Sequence, residues 1–284
     1  MNSLVLKTPA KINLGLTILK KLPNHYHEVK TIYCQVNLFD LLTIKKLNQN
    51  SIKIKTNNKS LANNDKNLVY QAAKLLKNKT GYKKGASIIL KKNIPISAGL
   101  GGGSSNAALT LKGLNKLWQL NLPLIDLIKL GKEIGADVAY QLVGGVKLEY
   151  QGGKKAGRFY NLNKLPKCFI LLCIPDIRIK SKIAYLQVNY DKIAKNNLIL
   201  LIKAIKQKNI KKIASTLHND FEIWTFKKYP IIKEIKNKML KYGALGSLMS
   251  GKGPAVFGIF NDFKKTKIAY NFFQKKFNNT FMLT

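Results

Sequence analysis

Four of the seven residues from Gly99 to Ser105 are glycine, and the last two carry hydroxyls. Ahead of this run, Ala86-Ser-Ile-Ile-Leu-Lys-Lys-Asn93 reads as a β-strand. Beyond it, Ala107, Ala108, Leu111, Leu114 and Trp118 recur at helical spacing. The glycines therefore sit where a strand hands over to a helix. The first turn of a helix has N–H groups without intrahelical partners and carries the positive end of the helix dipole, and glycine lets a backbone approach a ligand closely. A site written this way suits phosphate.

Two common phosphate loops do not fit. A Walker A loop needs Lys directly after its last glycine, and no Lys follows these glycines before Lys112. The dinucleotide pattern G-x-G-x-x-G fails because Ser104 stands at its third glycine. A flexible Gly/Ser linker is the bland alternative, but Pro95, Ile96 and Leu100 frame the run and it passes straight into a helix.

The stretch Pro95-Ile-Ser-Ala-Gly-Leu-Gly-Gly-Gly-Ser-Ser-Asn-Ala-Ala108 resembles the ATP-binding signature of the GHMP small-molecule kinases. Pro9-Ala-Lys-Ile-Asn-Leu14 and Leu248-Met-Ser-Gly-Lys-Gly-Pro-Ala-Val-Phe257 resemble the first and third motifs of that superfamily, so three motifs in order span nearly the whole chain. The resemblance implies an α+β fold of two domains, the first like domain 2 of ribosomal protein S5 and the second ferredoxin-like. It implies ATP as phosphoryl donor, with Mg²⁺ carried by the nucleotide. ATP would contact Asn67 beside the adenine and Pro95, Ile96, Ser97, Ala98, Gly99, Leu100, Gly101, Gly102, Gly103, Ser104 and Ser105 of the loop. Lys11 would face the phosphates and Asp137, in Gly135-Ala-Asp-Val138, would act as base toward the acceptor hydroxyl, with Asn13 beside it.

Tyr26-His27-Glu28 is similar to the cytosine-binding segment of one GHMP branch, which phosphorylates the 2-hydroxyl of cytidine diphosphate methylerythritol in the non-mevalonate isoprenoid pathway. Tyr26 would stack on the base and His27 would hydrogen-bond its edge. Tyr185, ten residues beyond Pro175, resembles the position of a second stacking ring. Four residues depart from the pattern: His25 stands for glycine, Ala139 for proline, and Lys252 and Pro254 for small residues.

Each of these positions also has a plain reading. Ile12, Leu14, Leu16 and Ile18 alternate as in a half-buried strand, which puts Lys11 and Asn13 on the other, solvated face. Asn67 and Asp137 read as helix N-caps, and Tyr185 as a core residue. His25 and His27 on one loop raise a zinc site, but no Cys or third His lies nearby. Lys252 either contacts phosphate or faces solvent. Gly246 to Lys252 imitates Walker A spacing, but a strand follows it where that loop needs a helix.

Lys+Arg of 50 against Asp+Glu of 13 gives a formal charge of +37, which raises a basic RNA- or ribosome-associated protein as an alternative. Lysine is spread over almost every segment and arginine is nearly absent, so no nucleic-acid-binding arm stands out. Another GHMP kinase with a different acceptor is the other alternative. Cys34, Cys168 and Cys173 have no metal or disulfide spacing and read as packing residues. No apolar run approaches the roughly 18 residues of a membrane span, and no signal peptide is evident. The expectation is a cytoplasmic enzyme, monomer or weak dimer, with small-molecule partners and neither nucleic acid nor membrane.

From Thr31 to Ile54 short strands broken by Asn-rich turns are expected. The second half reads as a strand at Leu165–Ile174, helices near 182–188, 197–206, 210–217, 229–242 and 263–277, and a hairpin about Gly251-Lys-Gly253. The junction is expected in the loop Gln151–Gly157, which divides an ATP-binding domain at 1–160 from a second domain at 161–284.

Overall fold

A computed structural model describes residues 2–21, 27–152, 155–179, 181–187 and 197–284. The chain runs β1 (Ser3–Lys21), β2 (His27–Leu47), β3 (Ile52–Thr56), α1 (Leu68–Thr80), β4 (Gly85–Lys91), α2 (Gly102–Leu117), α3 (Leu124–Ile134), α4 (Ala136–Val143), β5 (Val146–Gly152) and β6 (Lys155–Asn161). There follow β7 (Phe169–Ile174), α5 (Ser181–Leu186), α6 (Asn197–Lys206), α7 (Ile210–Ser215), β8 (His218–Asn219), α8 (Phe221–Lys228), α9 (Pro230–Lys241), β9 (Gly246–Met249), β10 (Val256–Phe260), α10 (Phe263–Gln274) and β11 (Asn279–Leu283).

The first sheet has the order β3-β4-β2-β1-β8, with β5 also pairing β2 and β6 pairing β5. One face of it, through Leu42, Ile44, Ala86, Ile88 and Leu90, packs on α1 and α2, which contribute Ala72, Leu76, Ala107, Leu111 and Leu114. These helix positions follow the apolar period of the sequence, and the small Ala side chains let helix and sheet approach closely. Asn67 caps α1 by accepting from Val69 N at 2.9 Å, and Gly81, left-handed at φ 66°, ends it.

The second sheet has the order β11-β7-β10-β9. Both its faces are buried. Ile170 and Leu172 of β7 and Phe257 and Ile259 of β10 join a core that also contains Ile12, Leu14 and Ile32 of the first sheet. Leu171, Cys173, Val256 and Phe260 turn to the other side, against Ile232, Met239 and Phe273. Two buried faces explain the unbroken apolar run of β7, which alternation could not resolve.

Four expectations change. β2 is one strand of 21 residues, because Asn37 and Leu38 are absorbed as a bulge opposite the Pro9/Ala10 step of β1. The described part of Gln151–Gly157 is strand rather than loop, belonging to the paired β5 and β6, and residues 162–168 link β6 to β7 of the second sheet. Helix α8 and strand β11 were not expected, and β8 adds two residues from the second half, parallel, beside Gly15 and Leu16 of β1. Lys11 and Asn13 are not solvated, since both faces of β1 are covered from Ala10 to Ile18 and the two are 3% and 2% exposed.

Candidate active site

The glycine loop leaves β4 and enters α2 under several restraints. Asp40, wholly buried on β2, accepts from Asn93 N at 2.7 Å and Ile94 N at 2.8 Å through Oδ1. Its Oδ2 accepts from Asn106 Nδ2 at 2.9 Å and pairs with the Lys92 ammonium. This carboxylate thus clamps both ends of the loop. Ala98 and Leu100 are buried in the shared core, and Leu100 O accepts from Lys11 N at 2.9 Å.

Gly99 and Gly101 hold left-handed φ of 80° and 65°, and a Cβ at either would strike Ser250 O at 2.3 Å or Lys11 Cγ at 2.9 Å. Gly101 is the N-cap of α2 without a side-chain cap, and the first turn carries no acidic residue. Its amides are left for a ligand. Ser97, also left-handed at φ 57°, completes the bend.

The loop forms one wall of a cleft of about 940 Å³. Lys11, Asn13, Asn67, Pro95, Ile96, Ser97, Ala98, Gly99, Leu100, Gly101, Gly102, Gly103, Ser104, Asp137 and Tyr185 all line it. Ser105 does not: α2 turns its side chain into the core, where its hydroxyl is buried without a partner. The reason is helical period, since Ser105 lies one residue past Ser104 and so faces away from the cleft. Tyr26 and His25 lie outside the described residues.

At the centre of the cleft the ammonium of Lys11 donates to Asn13 Oδ1 at 2.6 Å and stands 3.6 Å from Asp137 Oδ2. Asn13 Nδ2 donates to Thr31 Oγ1 at 2.8 Å, and that hydroxyl donates to Gly15 O at 2.8 Å, which fixes the amide. Asp137 caps no helix: it falls in the first turn of α4 after Gly135, with its side chain 37% exposed toward the cleft. Tyr33 OH donates to its Oδ1 at 3.0 Å. Burial, with the carboxylates of Asp137 and Glu149 beside it, pushes the Tyr33 phenol well above its ordinary value, so it stays a donor.

The β9–β10 turn closes the cleft. Ala255 N donates to Ala98 O at 3.1 Å, and Ser250 Oγ donates to Gly99 O at 3.0 Å while accepting from Asn13 N at 3.3 Å. Glu222 Oε1 accepts from Met249 N at 2.8 Å, and Asn219 Nδ2 donates to Met249 O and Gly251 O at 2.7 Å each. Tyr185 lines the cleft as well, and the His27 ring stacks on it with centroids 4.6 Å apart and planes 20° apart. His27 is 7% exposed, and burial with nearby Lys21 and Lys252 holds it below its ordinary value, as a neutral ring.

Tyr33, Thr31, Asp40, Asn219 and Ser250 are parts of this site that the motifs did not single out. Only Ser250 sits inside one of them; the others arrive by strand pairing across long sequence separations.

Two family models match the chain: GHMP kinases N terminal domain over residues 67–145 and GHMP kinases C terminal over residues 201–279. The 4-diphosphocytidyl-2-C-methyl-D-erythritol kinase of Caldicellulosiruptor saccharolyticus is 44% identical over 258 residues, 90% of this chain and 88% of its own. That of Bacillus subtilis is 40% identical over 265 residues, 93% of this chain and 91% of its own. A crystal structure of 4-(cytidine 5'-diphospho)-2C-methyl-D-erythritol kinase superposes with a TM-score of 0.83 at 27% identity, covering 99% of this chain and 98% of that one. With the glycine loop on a helix N-terminus facing Lys11 and Asp137 across one cleft, the chain belongs to the GHMP kinases, and within them to the 4-diphosphocytidyl-2-C-methyl-D-erythritol kinase family.

Proposed function

We propose that this chain moves the γ-phosphoryl group of ATP onto the 2-hydroxyl of 4-diphosphocytidyl-2-C-methyl-D-erythritol, a step of the non-mevalonate isoprenoid pathway. The observation that carries the reading is the placement of Lys11 and Asp137, 3.6 Å apart, in the cleft that the glycine loop walls. Phosphoryl transfer asks little covalent chemistry of a protein and much positioning and charge. The amides of Gly101 to Ser104 at the start of α2 hold the donor phosphates, with Asn67 at the adenine end. Lys11 Nζ offsets charge on the transferring group. Asp137 takes the proton of the acceptor hydroxyl through Oδ2, because Oδ1 is engaged by Tyr33.

Among the described residues no three His, Cys, Asp or Glu side chains cluster as a metal cage. A Mg²⁺ would arrive with the nucleotide phosphates, and Ser104, which lines the cleft at the start of α2, would help to hold it. When bound it neutralises phosphate charge.

At the far end, His27 and Tyr185, joined by Tyr26, form the base site, with His27 reading the base edge as a neutral imidazole. The same reading gives the ATP-binding domain residues 1–160 and the second domain 161–284. The enzyme works in the cytoplasm as a monomer or weak dimer and does not use nucleic acid. No helix among the described residues is long and apolar enough to cross a membrane.

The test is steady-state turnover with ATP and the cytidine diphosphate alcohol or its uridine counterpart. The cytidine substrate is expected to be preferred. Equal use of both removes the cytidine assignment, and failure with both overturns the reading.

A further inference from the structure

Lys252 stands between two glycines with left-handed φ, Gly251 at 55° and Gly253 at 77°, in the β9–β10 turn. A Cβ at Gly251 would lie 3.2 Å from Asn13 Oδ1 and 3.5 Å from Lys11 Nζ, so this backbone is pressed against Asn13 and Lys11. Asn219 fixes the Gly251 carbonyl from the other side. The position of Lys252 is therefore built, and its side chain lines the cleft with Nζ 4.5 Å from the centre of the Tyr185 ring.

Other cations withdrawn from water in this region have an anionic partner: Lys11 has Asp137 and Lys92 has Asp40. Among the described residues Lys252 forms neither a hydrogen bond nor an ion pair. Burial lowers its pKa below the ordinary value and Lys11 adds to that, against the opposing pull of Asp137. A half-buried ammonium that lines a cleft and, among the described residues, touches no carboxylate is a site for an anion.

Which anion follows from where it sits. The base end of the cleft is marked by Tyr185 and the reacting end by Lys11 and Asp137. Lys252 lies over the first and close enough to the second for their charges to act on it. The donor phosphates have their own seat on the glycine loop. In an acceptor that spans the two ends, the group between base and reacting hydroxyl is the diphosphate bridge. We propose that Lys252 binds the diphosphate of the acceptor. The proposal rests on the function put forward above.

The test varies each substrate separately in wild type, K252M, K252Q and K252R. A charged contact to phosphate predicts that the acceptor KM rises about ten- to a hundredfold in K252M and K252Q. The ATP KM stays within about twofold, and K252R recovers most of the loss. A merely structural role would move both KM values together and lower Tm in K252R as well. If wild type is active and the acceptor KM is unchanged in K252M and K252Q, this proposal alone falls. A rise confined to the ATP KM also overturns it and gives the ammonium to the nucleotide. A wild type inert toward the acceptor overturns the underlying function as well.

Discussion

The phenol of Tyr33 and the carboxylate of Asp137 are 104 residues apart in sequence and joined by a 3.0 Å hydrogen bond. The bond leaves Asp137 Oδ2 to the reacting side, where Lys11 stands. Tyr33→Phe removes one donor and keeps the ring that stacks on Tyr140 at 4.2 Å. Its kcat is expected to fall about tenfold with both KM values little changed, whereas Asp137→Asn loses roughly 10²- to 10⁴-fold, as for a positioned base. Steady-state kinetics decide this, and full activity in Tyr33→Phe would show that the bond does not orient the carboxylate.

Glycines 99, 101 and 103 of the loop are not equivalent. Gly99→Ala and Gly101→Ala meet backbone or Lys11 in a left-handed conformation and are expected to lower both Tm and nucleotide affinity. At Gly103, by contrast, the nearest atom to an added Cβ is Leu68 Cδ1 at 3.5 Å, an ordinary contact, and the residue is exposed in the cleft. Gly103→Ala should keep or raise Tm while the added methyl weakens ATP binding. Thermal melts with nucleotide titration check the contrast, and normal ATP affinity in Gly103→Ala would place the phosphates away from this turn.

Asp40 is the anchor of the loop. Asp40→Asn leaves the Lys92 ammonium, whose side chain is 5% exposed, without its counter-ion. Breaking a buried pair in this way costs about 3–5 kcal/mol. Urea unfolding should register the loss, and Asp40→Asn with Lys92→Met should recover part of it. A single variant as stable as wild type would contradict the clamp.

Glu149 carries the pH dependence. It is wholly buried, accepts from Gly157 N at 2.8 Å through Oε1, and leaves Oε2 without a partner. Burial raises its pKa to about 7, the Gly157 bond opposing, with Asp137 adding to the rise. The unfolded chain ionises this group near the ordinary value of 4.5, whereas the folded chain holds the proton until about 7. Stability from this group is therefore greatest at low pH, falls from about pH 4.5 to 7, and is constant above. Glu149→Gln should remove that fall and raise stability at pH 8 by roughly 3 kcal/mol. Melts from pH 5 to 8 read it directly, and parallel profiles for both proteins would refute the assignment.

What was legible in the sequence was what lies close together in it. The glycine loop, the capped start of α1 and the turn before β10 are local, and their residues announce their backbone conformations. Lys11 and Asn13 were legible only through resemblance, because alternation marks the face opposite the core and cannot say that a second layer covers it. Tyr33 read as one more apolar strand residue; its function appears only when β2 pairs β5 and α4 comes alongside. Asp40 and Asn219 act on backbone groups thirty or more residues away, which no periodicity records. Ser105 lies one residue past the point where α2 turns its side chains inward, which a motif read as a string does not record.

The core that joins Ile12 and Leu14 to Leu172, Leu198 and Phe257 sets the order in which the enzyme can be finished. β1 carries Lys11, yet its outer edge pairs with His218 and Asn219 and its apolar face packs on Phe257, far along the sequence. Loop closure over such separations is slow, and an apolar strand left waiting is open to aggregation. β1 is thus a strand whose edge and apolar face are both completed by contacts of large sequence separation.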